Sequence, residues 1–181
     1  MPNWNSNELV LTGDKDKIEA AIADICPKDE RGDLNDDEIH FGVAVPMPEG
    51  LKDGSSPYRG DETRSKYLIS LYGSDNWYDW AVKNWGTKWS HMELEAGWDE
   101  RDPDNASWIG SFETAWGPPE EWLKKLAPKH PDVTFSLAYA EPGMGFEGVL
   151  TLKGDETLKD KSRDIDEDFS TPLHGRIEGQ H

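Results

Sequence analysis

The sequence has little of what a secreted or membrane protein needs. Cys26 is the single cysteine in 181 residues, so no internal disulfide can form, which is typical of a reducing compartment. No segment approaches the roughly 18 consecutive apolar residues of a membrane helix. The first residues also lack the basic start and the apolar run of a signal peptide. We therefore expect a cytoplasmic protein.

Basic residues are scarce relative to acidic ones. Lysine and arginine together number 19 against 37 aspartate and glutamate residues, which gives a formal net charge of −18. Proteins that bind nucleic acid concentrate lysine and arginine against the phosphates, and no such stripe occurs here. Direct binding to nucleic acid or to an anionic membrane is therefore not expected. The acidic surface is compatible with solubility, with halophile adaptation or with attraction of basic partners.

Motifs for catalysis and for metal binding are also missing. The five histidines are never three or four residues apart, and the lone cysteine offers no zinc partner. The glycines of EPGMGFEG have strand patterns on both sides, so they predict a hairpin turn rather than a phosphate loop. No nucleophile elbow is present. We expect a non-enzymatic protein with no cofactor and no bound metal.

Apolar periodicity predicts a mixed architecture of strands and helices. The expected order is β-α-β-α-β-β-α-β-β, with one strand over IHFGVAVPMP and a helix over residues 74–85. Strands paired mostly as hairpins, with helices on one face, favour an α+β fold. Apolar periodicity ends near residue 155. The predicted organisation is one domain over residues 1–154 and an acidic, flexible tail over residues 155–181.

The segment NWYDWAVKNWGTKW contains four tryptophans in residues 76–89. At 3.6 residues per turn Trp77 and Trp80 share one helix face, so the main interpretation is a packed core. The alternative is an exposed ring, Trp85 or Trp89, beside a cleft that also includes His91. In that case the protein would be an accessory enzyme or would bind a small ligand.

Three phrases resemble the YubB ferredoxin-like domain family, small proteins carried by bacteriophages, plasmids and integrated elements. They are MPNWNSNELVLTG, YGSDNWYDWAVKNWGTKW, and FETAWGPP followed by AYAEPGMGFEG, and they span about residues 1–150. The family pattern usually has cysteine where this chain has Asn5. The resemblance implies a ferredoxin-like antiparallel sheet with helices on one face, and a mobile-element origin. It implies no catalytic residues.

Acidic residues cluster within and after a predicted strand in the segment ELEAGWDERDPD. A rigid array of carboxylates can resemble a phosphate backbone and occupy a basic groove on another protein. Together with the resemblance, this suggests a DNA-mimic inhibitor of a nucleic-acid-handling host defence complex. The alternative is that these acids are merely solvated. The candidate contact residues are Glu93, Glu95, Asp99, Glu100, Asp102 and Asp104.

Overall fold

A computed structural model describes residues 3–99 and 106–165 of the chain. The strands in this part are β1 (Trp4–Gly13), β2 (Glu38–His40), β3 (His91–Glu93), β4 (Glu95–Asp99), β5 (Ala106–Ala115), β6 (Thr134–Glu141), β7 (Phe146–Lys153) and β8 (Glu156–Asp164). The helices are α1 (Lys15–Ile22), α2 (Phe41–Ala44), α3 (Glu49–Lys52), α4 (Glu62–Tyr72), α5 (Trp77–Trp85) and α6 (Glu120–Leu126), the last followed by a 3-10 turn (Ala127–Lys129). No helix among these described residues is both long and apolar enough to cross a membrane.

Within the described residues the main sheet has six strands in the order β4-β5-β1-β6-β7-β8, and every neighbouring pair is antiparallel. The first strand lies between β5 and β6, and the path β1-α1-β4-β5-α6-β6 is the ferredoxin-like arrangement. The hairpin strands β7 and β8 extend the sheet. A long insertion between α1 and β4 carries the small β2–β3 sheet and helices α2 to α5. The expected α+β, ferredoxin-like fold is confirmed.

The two faces of the sheet differ in chemistry because side chains alternate along each strand. In β1 the buried positions include Leu9 and Leu11, whereas Ser6, Glu8 and Val10 point to the opposite, more exposed face. The buried face packs against apolar residues of the helices, which are Ile18, Ala21, Ile22, Trp122, Leu123 and Leu126. The helices therefore cover one face, and at β1 the other face is open enough to present polar groups, although Ala138 and Val149 are buried on that face in β6 and β7.

Helix α5 explains why tryptophans are concentrated in one segment. Trp80 is buried and packs edge-on against Trp85, with ring centroids 5.3 Å apart. The helix begins after Asn76, whose side chain accepts a hydrogen bond from the Asp79 N–H at 3.0 Å. The start predicted at residue 74 was therefore too early. Gly86 ends the helix with φ of 89°, and a Cβ there would lie 2.5 Å from a backbone carbonyl oxygen.

One sequence-based expectation about secondary structure is wrong, and one helix was not expected at all. The segment predicted as a strand from residue 39 is a strand only to His40. The chain then turns into helix α2, whose residues Phe41 and Ala44 are buried. Helix α4 was not predicted, since Tyr67, Ile69 and Leu71 are exposed and leave no apolar stripe.

The domain boundary predicted at residue 155 also comes too early. Strand β8 pairs with β7 from Glu156 to Asp164, so this part of the predicted tail belongs to the sheet. Its side chains alternate in charge rather than in hydropathy: Lys159, Lys161 and Arg163 share one face of the strand. The last sixteen residues, 166–181, lie outside the described residues.

Candidate functional site

Four glutamates and an exposed tryptophan line one groove at an end of the large sheet. The groove has a volume of about 570 Å³ and is formed by β1, β3, β4 and β5. Its main lining residues are Trp4, Ser6, Glu8, Met92, Glu93, Glu95, Ser111 and Glu113. Among the described residues that line it, none is lysine or arginine. We refer to this feature as the acidic groove.

Strand register brings these glutamates together from distant parts of the chain. Glu8 of β1 and Glu95 of β4 both lie opposite Ser111 of β5. Two strand spacings therefore separate their Cα atoms, which is about 10 Å. Glu113 lies two residues beyond Ser111 on the same face, roughly 7 Å along β5. The result is a two-dimensional array of carboxylates on a rigid support.

Trp4 sits at the end of this array and joins it to a second site. Its ring contacts that of Trp89, with centroids 5.7 Å apart and planes tilted by 39°. The two side chains are 39% and 38% exposed, although rings of this size usually gain stability from burial. The ammonium group of Lys88 lies 3.9 Å from the centroid of the Trp89 ring. An exposed aromatic pair of this kind is suited to contact with a partner or a ligand.

A buried polar network holds the strands that present Trp4 and Glu113. The side-chain amide of Asn5 donates to Asn7 Oδ1 at 2.7 Å, and Asn7 donates to Thr114 Oγ1 at 2.9 Å. Thr114 in turn donates to the carbonyl oxygen of Gly117 at 2.8 Å. Because buried polar groups are costly unless paired, these bonds fix β1 against the end of β5.

A second cavity, of about 340 Å³, lies between the insertion helices and the segment that precedes β3. Its lining residues are His40, Gly42, Pro46, Met47, Lys52, Trp77, Trp85, Lys88, Trp89 and Ser90. Among these described residues the ionisable ones are a histidine and two lysines, and no carboxylate is present. We refer to this cavity as the basic cleft.

The surroundings of His40, in the basic cleft, shift its protonation equilibrium. Its Nδ1 accepts a hydrogen bond from the Gly42 N–H at 3.0 Å, so in the neutral ring the proton resides on Nε2. Burial lowers the pKa of His40, and the neighbouring His91 and Lys52 lower it further against the opposing effect of Glu38. The neutral, hydrogen-donating form is therefore favoured.

The candidate residues from the sequence are distributed over both cavities. Glu93 and Glu95 line the acidic groove. Asp99 is half-buried on β4 and, with Glu95, borders a shallower depression. The other three candidates of that set, Glu100, Asp102 and Asp104, lie outside the described residues.

Of the three residues predicted for the alternative cleft, the structure brings two into the same cavity. Trp85 and Trp89 line the basic cleft, but Trp85 is only 4% exposed, so it is not the exposed ring that the alternative allowed. Its indole N–H donates to the carbonyl oxygen of Val45 at 2.9 Å. His91 does not line the cleft. It lies beside His40 with ring centroids 5.9 Å apart, and its Nε2 is 3.3 Å from Glu38 Oε1.

Sequence reasoning missed several groups that the fold contributes. Glu8 and Glu113 were not candidates, because only the pairing of β1 with β5 and of β5 with β4 puts them beside Glu95. Their alternation with buried neighbours was a usable signal, since it indicated that both side chains leave the core. Lys52 and His40 were missed because the helical insertion could not be traced from periodicity.

Reactive groups are not assembled in the part of the chain that the structure describes. No three His, Cys, Asp or Glu residues there are grouped so that they could hold a metal ion. Burial raises the pKa of the Cys26 thiol to about 12, and the nearby charge of Asp36 adds to this effect. A thiol in that environment is a poor nucleophile at neutral pH.

Comparison with known proteins places the chain in a structural family. Residues 84–176, just over half of the chain, match the family model described as a ferredoxin-like domain in Api92-like protein. The chain is also similar in structure to the protein Api92 from Yersinia pseudotuberculosis, with a TM-score of 0.50 and 10% sequence identity. That similarity covers 93% of this chain and 100% of the Api92 chain. At such low identity it shows the fold alone. A search of curated proteins finds no match.

Proposed function

Because this chain belongs to the family of ferredoxin-like domains in Api92-like proteins, we propose that it is a binding protein of the YubB type, carried by a bacteriophage or a plasmid. It acts in the cytoplasm of the bacterial host, binds a host protein through the acidic groove and catalyses no reaction. The three phrases that resemble the YubB family support the mobile-element origin.

The observation that carries the proposal is the lining of the acidic groove. Four carboxylates converge there without a lysine or arginine among the described lining residues. Glu93, Glu95 and Glu113 place like charges on one rigid surface, and such a surface attracts a cationic partner. Trp4 adds an exposed ring, over which an arginine or lysine side chain can stack. A basic protein segment matches both features.

The spacing of the carboxylates supports the narrower proposal of a DNA mimic. Glu8, Glu95 and Glu113 are held about 8 to 10 Å apart on neighbouring strands rather than on flexible loops. A partner that normally grips phosphates presents separated lysine and arginine side chains, and such an array can engage several of them at once. We therefore propose that the partner is a nucleic-acid-handling protein of the host, for example a defence complex.

Affinity capture tests this proposal when it is run with two matched variants. The groove variant changes the four lining glutamates to glutamine: Glu8→Gln, Glu93→Gln, Glu95→Gln and Glu113→Gln. The control variant removes the same number of charges from exposed positions elsewhere: Glu19→Gln, Glu30→Gln, Glu62→Gln and Glu156→Gln. The wild type and the control should retain the same host protein, and the groove variant should lose it.

Competition with DNA then separates the narrow proposal from the broad one. A short DNA duplex should displace the protein from its captured partner, whereas the isolated protein should not shift DNA in a gel. A partner retained equally by the groove variant would contradict the proposed interface. Alternatively, the partner fails to bind the groove variant and yet is not displaced by DNA. That result would support the acidic groove as the interface and contradict the DNA-mimic proposal.

A further inference from the structure

The basic cleft is a local exception in a strongly acidic protein. The chain carries a formal net charge of −18, yet the ionisable residues described in the cleft lining are His40, Lys52 and Lys88. Lys52 also pairs with Glu49, which is not part of that lining. The two lysines create a place where an anion is favoured, although the acidic surface around it repels anions.

The apolar part of the cleft consists of tryptophan rings. Trp85 forms a fixed wall, because it is buried and its N–H is bonded to Val45. Trp77 is half-buried and Trp89 is exposed, so each presents ring surface to the cavity. Indole rings at the wall of an open cavity favour contact with a flat ring. The volume of about 340 Å³ falls within the range of small-molecule sites.

Polar groups of the cleft can orient a ligand. His40 uses Nδ1 to accept the Gly42 N–H, which leaves the protonated Nε2 of the neutral ring as a donor. The ammonium group of Lys88 is held over the ring of Trp89 at 3.9 Å, so positive charge and aromatic surface occur side by side. A molecule that stacks on the ring would bring its own anionic group close to that ammonium.

From these features we propose that the basic cleft binds a small molecule in which a flat aromatic ring carries a carboxylate or phosphate group. The ring packs against the tryptophans and the anionic group faces Lys52 and Lys88. This site is separate from the acidic groove, since a different set of residues lines it and its charge has the opposite sign.

Calorimetric titration with whole and partial probes tests the ligand class. Adenosine 5′-monophosphate and indole-3-acetate represent the two sources of a ring with an anionic group, a nucleotide and an aromatic acid. Adenosine and indole supply the rings without the charge, and inorganic phosphate and acetate supply the charges without a ring. At least one whole probe should bind at about 1 mM or below, with each corresponding part at least tenfold weaker. The stronger of the two whole probes identifies the source.

The affinities of lysine variants for the whole probe then test whether binding occurs in the basic cleft. Lys52→Met and Lys88→Met should each weaken the whole probe about tenfold or more, because each removes a charge-assisted contact. Lys66→Met is the matched control, since Lys66 is exposed on α4, pairs with Glu62 and does not line the cleft. It should leave the affinity unchanged. Three results would overturn the proposal: no binding of either whole probe, equal binding of a partial probe, or equal affinity of all three lysine variants.

Discussion

The Arg163→Met substitution tests whether β8 is a structural strand. Arg163 donates to Glu147 Oε1 from both Nε, at 2.8 Å, and Nη2, at 2.6 Å. The Glu147 side chain is only 2% exposed, so loss of the guanidinium takes a charge partner away from a buried carboxylate. Removing one member of a buried ion pair costs about 3–5 kcal/mol. Arg163 itself is 28% exposed on an edge strand, so water can enter, and we expect the lower end, about 3 kcal/mol.

Urea unfolding at neutral pH measures this cost, and thermal unfolding should show a Tm lower by roughly 6–12 °C. Lys161→Met is the control on the same strand and the same face, where the side chain is exposed, and it should change stability by less than about 0.5 kcal/mol. A loss below about 1 kcal/mol for Arg163→Met would refute the inference that this pair fastens β8 to the sheet.

Three further predictions concern the fold. Trp80→Ala should destabilise the protein by about 3–5 kcal/mol, since the ring is buried against Trp85. A change below about 1 kcal/mol in the free energy of unfolding, measured with urea, would show that the ring is not part of the core. Deleting residues 155–181, which the sequence predicts to be a flexible tail, should lower the Tm by more than the Arg163 substitution does, because the deletion removes all of β8. An unchanged Tm would contradict the strand assignment. The pKa of His40 is lowered by burial, so the unfolded chain binds its proton more readily, and stability should be lost as the pH falls below about 6.5. In urea titrations His40→Asn should reduce the loss of stability between pH 7 and pH 5. Equal losses in the wild type and the variant would contradict the role of His40 in this pH dependence.

The sequence predicted those elements whose apolar residues alternate or recur at helical spacing. Strand β1 and the β6–β7 hairpin follow that rule, and α5 was found by its tryptophans. Strand β8 was missed because an edge strand needs no apolar face, and its alternation is one of charge. Helix α4 was missed because a single residue, Leu68, is buried in it, although Asp61 caps its start and Gly73 its end.

The candidate sites were less accessible from the sequence, because pairing between distant strands creates them. Glu93 and Glu95 could be chosen from a local cluster of acids, whereas Glu8 and Glu113 become their neighbours only through the strand register. The basic cleft depends on the path of the insertion, which places Lys52 of α3 near the segment after α5. No local pattern encodes that contact.

The acidic groove is tested most directly by the salt dependence of affinity for the captured host protein. The account predicts that wild-type affinity weakens at least about tenfold between about 50 and 200 mM salt, because screening shortens the reach of exposed charges. The variant with all four groove glutamates changed to glutamine should bind weakly at both concentrations, while the matched control should follow the wild type. Affinity that responds neither to salt nor to the groove substitutions would contradict the account, and would direct attention to the exposed Trp4–Trp89 pair as an apolar interface.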